Sequence, residues 1–461
     1  MSHATALTDN IWSARLDHGP STQSHRRKRI PIAPIALCGA VAIGASSTHA
    51  GGMYSYEIGG AEVGLAAAGY AALAQDASTV FTNPAGMTRL DGTQIMITGQ
   101  LMRSNSEFSI DEGTSSALGT ENGGRPLGSD GWLPGSGMFI SHSLSEDLKL
   151  GFALAGNFGA PLDYDDDWAG RYYVQETTLL GVSMLPSLAW KATDKLSVGV
   201  SLRAMLGFYE NQIAINNADP GSGDGQLEYD DTAWGWGANI GLLYEVNNKT
   251  RLGFTWNSEV ELDFDAKLKW SNLTDELENG LDSIDLLDAS LDTNITAPQT
   301  LMASLYTEVN EDWAILGNIG WQEWSRFGRM QLGIDNTLNP SSVTTDLNFK
   351  DTWHVALGAR YRLSQPWLLD FGVSYDSDFQ DSDNISPLMP VNGSWRYAVG
   401  AQQQLTMTSL WGFGATYIYG GTLETNLQSD TPVESGGHGD LVGAYKDTAT
   451  ILVNAYYNWR F

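Results

Sequence analysis

"ATILVNAYYNWRF", residues 449–461, closes the chain and sets its reading. Ile451, Val453, Ala455, Tyr457, Trp459 and Phe461 fall on one face of an extended segment, and Asn454, Asn458 and Arg460 on the other. A period of two, with one apolar and one polar face, is a strand between two environments. The same alternation recurs upstream. Trp411, Phe413, Ala415, Tyr417 and Tyr419 share a face, as do Val355, Leu357, Ala359 and Tyr361, and residues 195–202 repeat it.

The connections between these runs come in two sizes. Residues 144–149, 191–195, 245–250, 308–313, 362–367 and 405–411 are short and turn-like. Trp190, Tyr244, Tyr306, Trp313, Tyr361, Trp367 and Trp411 stand beside them, as in an interfacial girdle. Long connections rich in Asp, Asn, Gly and Ser fall at 104–134, 158–176, 210–230, 260–297, 327–348, 378–393 and 420–446. Six short turns and seven long loops join about fourteen strands, with both barrel ends on the short-turn side. This predicts an all-β chain, a transmembrane antiparallel β-barrel. A soluble propeller would repeat a blade motif, and none is found. In the connection 272–292, Leu273, Leu277, Leu281, Ile284 and Leu287 have helical spacing. They predict a short amphipathic helix over the barrel mouth, either packing the loop or receiving an apolar ligand.

Composition agrees. Mean hydropathy is −0.20, and beyond the start of the chain no apolar run approaches the ~18 residues of a membrane helix. Residues 1–50 read as a signal peptide with an extended n-region: Arg26-Arg27-Lys28-Arg29, the apolar run from Ile30, and Thr48-His49-Ala50 before a mature start at Gly51. A short membrane anchor is the alternative. The single cysteine, Cys38, lies in this leader, so the mature chain has no disulfide. The whole chain holds 25 Lys+Arg and 54 Asp+Glu; removing residues 1–50, with five basic and two acidic side chains, leaves 20 and 52. That charge excludes nucleic acid as a partner. Acidic outer clusters could share divalent cations with lipopolysaccharide, or simply be solvated.

Residues 51–92 do not alternate. "GGAEVGLAAAGYAALAQDAST" (59–79) is rich in Gly and Ala, too apolar for a disordered tail. About fourteen strands enclose a lumen too wide for side chains to fill. Residues 51–92 are therefore expected to plug it as an N-terminal hatch, with 93–461 as the barrel. Asn83-Pro84-Ala85-Gly86 ends the plug just before the first strand.

"ASTVFTNPAGM" (77–87) resembles the end of the hatch in the FadL family of outer-membrane transporters of long-chain fatty acids and other hydrophobic compounds. Residues 156–180, 186–202, 234–245, 250–260, "WQEWSRF" (321–327) and 351–363 match that family's pattern in order. The closing strand resembles the signal by which outer-membrane barrels are recognised, carried here by Tyr457, Trp459 and Phe461. The resemblance implies the bacterial outer membrane, the barrel assembly machinery and lipopolysaccharide as partners, and no cofactor. It implies capture of hydrophobic ligand at the outer loops, a pocket above the hatch, and sideways release beside a kinked third strand.

Within "KLGFALAGNFGAP" (149–161), Gly156, Gly159 and Pro161 predict a bulge or broken pairing. An ordinary strand end is the alternative. Asn157, Phe158, Gly159, Ala160 and Pro161 are the candidate lining of a lateral opening, and Asn83, Pro84, Ala85 and Gly86 the candidate hatch gate. A ligand carboxylate needs a cationic or amide partner; Arg171, Arg203 and Lys269 are the candidates. Val391 stands after Pro390 where the family carries an acidic residue, which leaves fatty acids and neutral aromatic hydrocarbons both open. A polar diffusion porin or structural barrel is the remaining alternative, and would lack the plug.

Enzyme chemistry finds no support. Beyond the leader only His142, His354 and His438 remain, with no metal spacing or triad. No GxSxG elbow occurs. Asp163, Asp165, Asp166 and Asp167 lack the spacing and glycine of an EF-hand.

Overall fold

The computed structural model describes residues 54–119, 123–126, 131–217, 221–335 and 341–461. The leader, its cleavage point before Gly51, and Cys38 lie outside the described residues. Fourteen antiparallel strands form one closed barrel: β1 (Thr93–Asn105), β2 (Trp132–Ser143), β3 (Leu148–Asp163), β4 (Glu176–Lys191), β5 (Leu196–Ile215), β6 (Gly225–Asn247) and β7 (Thr250–Asn257), then β8 (Thr300–Glu308), β9 (Trp313–Gln322), β10 (Thr352–Ser364), β11 (Trp367–Asp376), β12 (Ser394–Thr406), β13 (Ser409–Leu427) and β14 (Leu441–Arg460). Each pairs with its sequence neighbour, and β14 returns to β1 from Gln94↔Arg460 to Asn105↔Ala449. Closure removes the edges that an open sheet would expose.

The closing strand has the predicted two faces. Ile451, Val453 and Trp459 are exposed on the outside, while Leu452, Asn454, Tyr456 and Asn458 are buried inside. Phe461 is 73% exposed, and its backbone pairs reciprocally with Thr93 at the start of β1. Apolar residues facing outward and polar ones facing the lumen are the pattern of a lipid-facing wall. All six short turns occur as expected. Beside them Trp313 packs on Tyr361, and Trp367 on Trp411, with ring centroids 4.6 and 6.0 Å apart. Tyr306 is the exception in the girdle: it is buried inside, under the guanidinium of Arg251 at 3.7 Å.

The opposite end carries more structure than its composition predicts. Strands run past the expected loop starts at 158, 210 and 420. Segments 260–297 and 327–348, read as loops, contain Val260–Lys267, Ser290–Ala297, Arg329–Asp335 and Ser341–Asp346, four strands of a second sheet. Val260, Leu262, Phe264 and Ala266 bury one face of its first strand, and Glu261, Asp263, Asp265 and Lys267 expose the other. The acidic residues mask a strand period that the apolar ones obey. The predicted helix is present at Asp275–Asp282, capped by Thr274, and Leu281 is buried beneath it with Leu277 and Ile284 alongside. Its leucines pack the loop, the first of the two readings.

Residues 54–92 lie within the barrel and are almost wholly buried. They hold little regular structure: a 3-10 turn at Val63–Leu65, helix α1 (Thr79–Thr82) and a 3-10 turn at Pro84–Arg89. A buried backbone needs partners, and the wall supplies them. Thr98 Oγ1 donates to the Ile58 carbonyl at 2.8 Å, and Thr416 Oγ1 to that of Val63 at 2.6 Å. The Gly69 amide donates to Asn318 Oδ1 at 2.7 Å, the Ala71 amide to Ser304 Oγ at 3.0 Å, and Arg251 donates to the carbonyls of Ala72 and Leu73. Small residues make this close seating possible: a β-carbon on Gly64 would lie 2.7 Å from the Cα of Gly400 on β12.

Candidate functional site

The ladder between β2 and β3 stops early. It runs from Ser143↔Lys149 to Gly137↔Ala155, and no pair joins the two strands beyond that point, although β2 stays paired to β1 back to Trp132. On its other side β3 remains paired to β4 through a bulge at Asn157 and on to Asp163. The expected break is therefore one-sided. Pro161 sits within the paired region opposite Thr178, and a residue with no amide hydrogen suits a strand edge.

The inner segment occupies this edge. Tyr54 bridges Phe158, and the Ser55 amide donates to the Asn157 carbonyl at 2.9 Å. Gly159 has φ +93°, and a β-carbon there would stand 1.7 Å from the Leu179 carbonyl oxygen. Gly159→Ala should therefore lower barrel stability by at least about 1–2 kcal/mol through the left-handed penalty alone. The check is the heat-induced unfolding midpoint in detergent; an unchanged midpoint would show that β3 relaxes freely here.

Of the lateral-opening candidates, Phe158 and Ala160 face inward: Phe158 is fully buried and Ala160 packs against the same cluster, with Tyr54, Met205, Phe264, Phe327 and Phe379. Trp324 and Phe327 come from a one-turn helix, which follows α2 (Asp275–Asp282) in the chain and is labelled α3 (Trp324–Phe327). The cluster fills the lumen above the inner segment with apolar side chains drawn from β3, β4, β5, the second sheet and the long connections.

At its foot lies Arg203 of β5, 1% exposed. Its Nη1 donates to the Tyr54 hydroxyl at 3.0 Å and its Nη2 to Asn257 Oδ1 at 3.2 Å. Its Nε is buried and unpaired, and among the described residues no carboxylate pairs with it. The rings of Tyr54 and Phe81 stand with centroids 6.0 Å from the guanidinium carbon. Asn239, in register with Asn257, has both amide atoms unpaired, and so is the Thr255 hydroxyl. A buried cation without a counter-ion is costly unless a partner arrives.

The other two basic candidates are already neutralised. Arg171 Nε donates to Asp224 Oδ2 at 2.7 Å in the outer loops. Burial works against its charge, but Asp224 and Tyr172 outweigh it and hold the guanidinium above its ordinary pKa. Lys269 is about half exposed and pairs with Asp230 and Glu228. Partial burial is likewise outweighed there by Asp230, and the ammonium pKa rises.

A second set of charges, which the sequence reading missed, ties the inner segment to the far wall. Arg396 of β12 donates to Glu57 and, at 3.1 Å, to Asp376 Oδ2; Asp376 Oδ1 lies 2.9 Å from His354 Nδ1. All four side chains are at most 1% exposed, and Tyr56 packs on His354 with centroids 4.5 Å apart. Residues 54–57 thus span the lumen, from the edge of β3 to β10–β12. The local sequence signals were the inward parity of Arg396 and a carboxylate, Glu57, in a small-residue run. The gate candidates sit elsewhere on the wall. Asn83 Oδ1 accepts from the Ala85 amide, Asn83 Nδ2 donates to the carbonyls of Ala71 and of Leu242 on β6, and Pro84, Ala85 and Gly86 are buried. The expected turn is the capped start of a 3-10 turn.

Among the described residues no group of His, Cys, Asp and Glu has the arrangement of a metal site. Compared with known proteins, residues 41–461 match the family model described as outer membrane protein transport protein (OMPP1/FadL/TodX). The chain is 25% identical over 381 residues to the long-chain fatty acid transport protein of Escherichia coli O6:H1, covering 77% of this chain and 84% of that one. It is 24% identical over 376 residues to outer membrane protein P1 of Haemophilus influenzae, covering 74% and 80%. Its fold is similar to the crystal structure of a Pseudomonas aeruginosa FadL homologue, with TM-score 0.72, 18% identity, and 89% and 100% coverage. It is also similar in fold to the crystal structure of the P. putida toluene transporter TodX, with TM-score 0.61, 16% identity, and 84% and 94% coverage.

Proposed function

The chain belongs to the outer membrane protein transport family (OMPP1/FadL/TodX), and from that membership we propose that it passes long-chain fatty acids through the bacterial outer membrane by energy-independent diffusion. It resides in that membrane as a transport channel, not an enzyme.

The observation that carries the fatty acid reading is Arg203, a buried guanidinium with a free Nε and, among the described residues, no carboxylate of its own, beneath an aromatic cluster. A fatty acid matches both parts. Its chain replaces aromatic contacts, and its carboxylate supplies a charge-assisted hydrogen bond to the cation. Asn239 and Thr255 offer further polar atoms beside it. In this reading residues 51–92 are the hatch, 93–461 the barrel, and Asn83–Gly86 its inner gate. The ligand comes from the long-loop end and descends to Arg203. A carboxylate binds a guanidinium more strongly than the Tyr54 hydroxyl does. Losing that contact loosens Tyr54 and Ser55 from β3, and the ligand leaves sideways past Asn157–Pro161. Lipopolysaccharide around the outer end, and recognition of Tyr457, Trp459 and Phe461 by the barrel assembly machinery, belong to the same reading.

A second reading, neutral aromatic hydrocarbons, draws on the aromatic cluster alone. Uptake of labelled oleate, oleyl alcohol and toluene by cells with and without the protein separates them. Preference for oleate is expected; equal rates for oleate and its alcohol would favour the second reading. Large steady ion conductance of the intact protein in planar bilayers would count against any hydrophobic channel.

A further inference from the structure

The roof of the apolar cluster is a closed ring of four aromatic side chains. Trp324 contacts Phe327 with centroids 5.3 Å apart, Phe327 stacks on Phe349 at 6.2 Å and 4°, Phe349 meets Phe379 edge-on at 5.0 Å, and Phe379 returns to Trp324 at 5.4 Å. Beneath them Phe158 meets Phe327 at 6.1 Å. None of the four belongs to a barrel strand. They come from α3, from the segment before β10, and from the segment after β11. We infer that α3 and these two segments form a lid over the long-loop end of the ligand path, latched by the ion pair Arg326–Glu259.

A helix of one turn cannot hold itself together, so α3 depends on what it touches. Trp324 is its fixed side: the indole Nε1 donates to Gln322 Oε1, at the end of β9, at 2.7 Å. Phe327 is its movable side. Its ring meets those of Phe158, Trp324 and Phe349, and an apolar chain sliding between them restores the contacts it breaks. Among the described residues the turn's backbone is tied by the Glu323 amide to the Gln299 carbonyl at 3.1 Å, the Ser325 amide to Asp351 Oδ1 at 3.2 Å and the Leu347 amide to the Gly328 carbonyl at 2.8 Å, with a strand of the second sheet beginning at Arg329. Arg326 points outward from the same turn. Its Nε lies 3.2 Å from Glu259 Oε2 and its Nη2 3.4 Å from Glu259 Oε1, and both side chains are nearly half exposed. A solvent-exposed pair is weak and screened by salt, which suits a latch that must open. The ring is closed, so ligand reaches Arg203 only when Phe327 swings away from Phe349. Flat or flexible apolar chains fit that slot better than bulky ones, and the ring therefore selects by cross-section.

The inference rests on the transport reading, and its test keeps the two apart. The sole cysteine, Cys38, is in the predicted leader, so Glu259→Cys with Arg326→Cys gives an exposed reactive pair. A short reducible bis-methanethiosulfonate bridge between them locks the lid. Labelled oleate uptake by cells carrying the double variant is measured before bridging, after it, and after reduction. The expected result is at least a five-fold fall on bridging with full recovery on reduction, and no change in either single variant. Undiminished uptake with the bridge in place would overturn the lid and leave the channel standing. No oleate uptake by any form, the unmodified protein included, would overturn the transport reading and the lid together.

Discussion

Arg203→Leu should weaken oleate binding by about 2–3 kcal/mol, roughly 30- to 150-fold in Kd, while oleyl alcohol binding changes little. The difference arises because only the acid uses the charge. The guanidinium is 1% exposed, donates to Tyr54 and Asn257, and keeps a buried Nε without partner. The same substitution should make the empty protein more stable, by about 1 kcal/mol or more, since it removes an uncompensated buried cation. Loss of function with a gain of stability marks a ligand-directed charge and not a structural one. Arg203→Lys should fall between, keeping the charge but losing the planar fork. Titration with both ligands, beside thermal unfolding without ligand, tests this. Equal losses for acid and alcohol would refute the carboxylate role.

Much of this was legible from strand parity. Leu202 is exposed outside and Arg203 buried inside; Trp395 and Tyr397 face out and Arg396 faces in. The same rule should have withdrawn Tyr306 from the girdle, since its neighbour Leu305 faces out. Parity gives the side of the wall but not the partner. Arg396 meets Glu57 from 339 residues away, and nothing local to either residue encodes that. The bulge at Asn157 was readable from Gly156, Gly159 and Pro161, because those residues disfavour regular pairing. Which neighbour strand would lose its ladder was not readable, since β3 has two edges and the sequence of one strand does not distinguish them. The second sheet was missed because Glu261, Asp263 and Asp265 gave the composition of a loop, while Val260, Leu262 and Phe264 kept the period of a strand.

Arg396→Met is expected to unseat residues 54–57 and raise ion conductance in planar bilayers by an order of magnitude or more. The guanidinium is the only cation shared by Glu57 and Asp376 among the described residues, and all three side chains are fully buried. Without it two carboxylates remain in the lumen with His354 as their one basic neighbour. Stripping one member from a buried ionic set costs about 3–5 kcal/mol. The barrel does not readily release that strain, because its strands form one closed ladder that returns from β14 to β1. The span from Tyr54 to Glu57 can, since it is held by separate local contacts: the bridge to Phe158, the Ser55 amide bond, the Arg203 bond to the Tyr54 hydroxyl, the Gln100 bond to the Glu57 carbonyl, the Tyr56–His354 ring contact and this ion pair. Local opening takes the least supported segment first. Glu57→Gln combined with Arg396→Met should restore a closed channel, because Asp376 keeps His354 and the 54–57 span no longer carries a buried carboxylate that has lost its cation. Unfolding of the barrel itself should move little in either variant. A single Arg396→Met variant that conducts no more than the unmodified protein would mean that the 54–57 span does not seal the lumen. The inner segment would then close the channel through its remaining contacts with the wall, those of Arg251, Asn318 and Asn83 first among them.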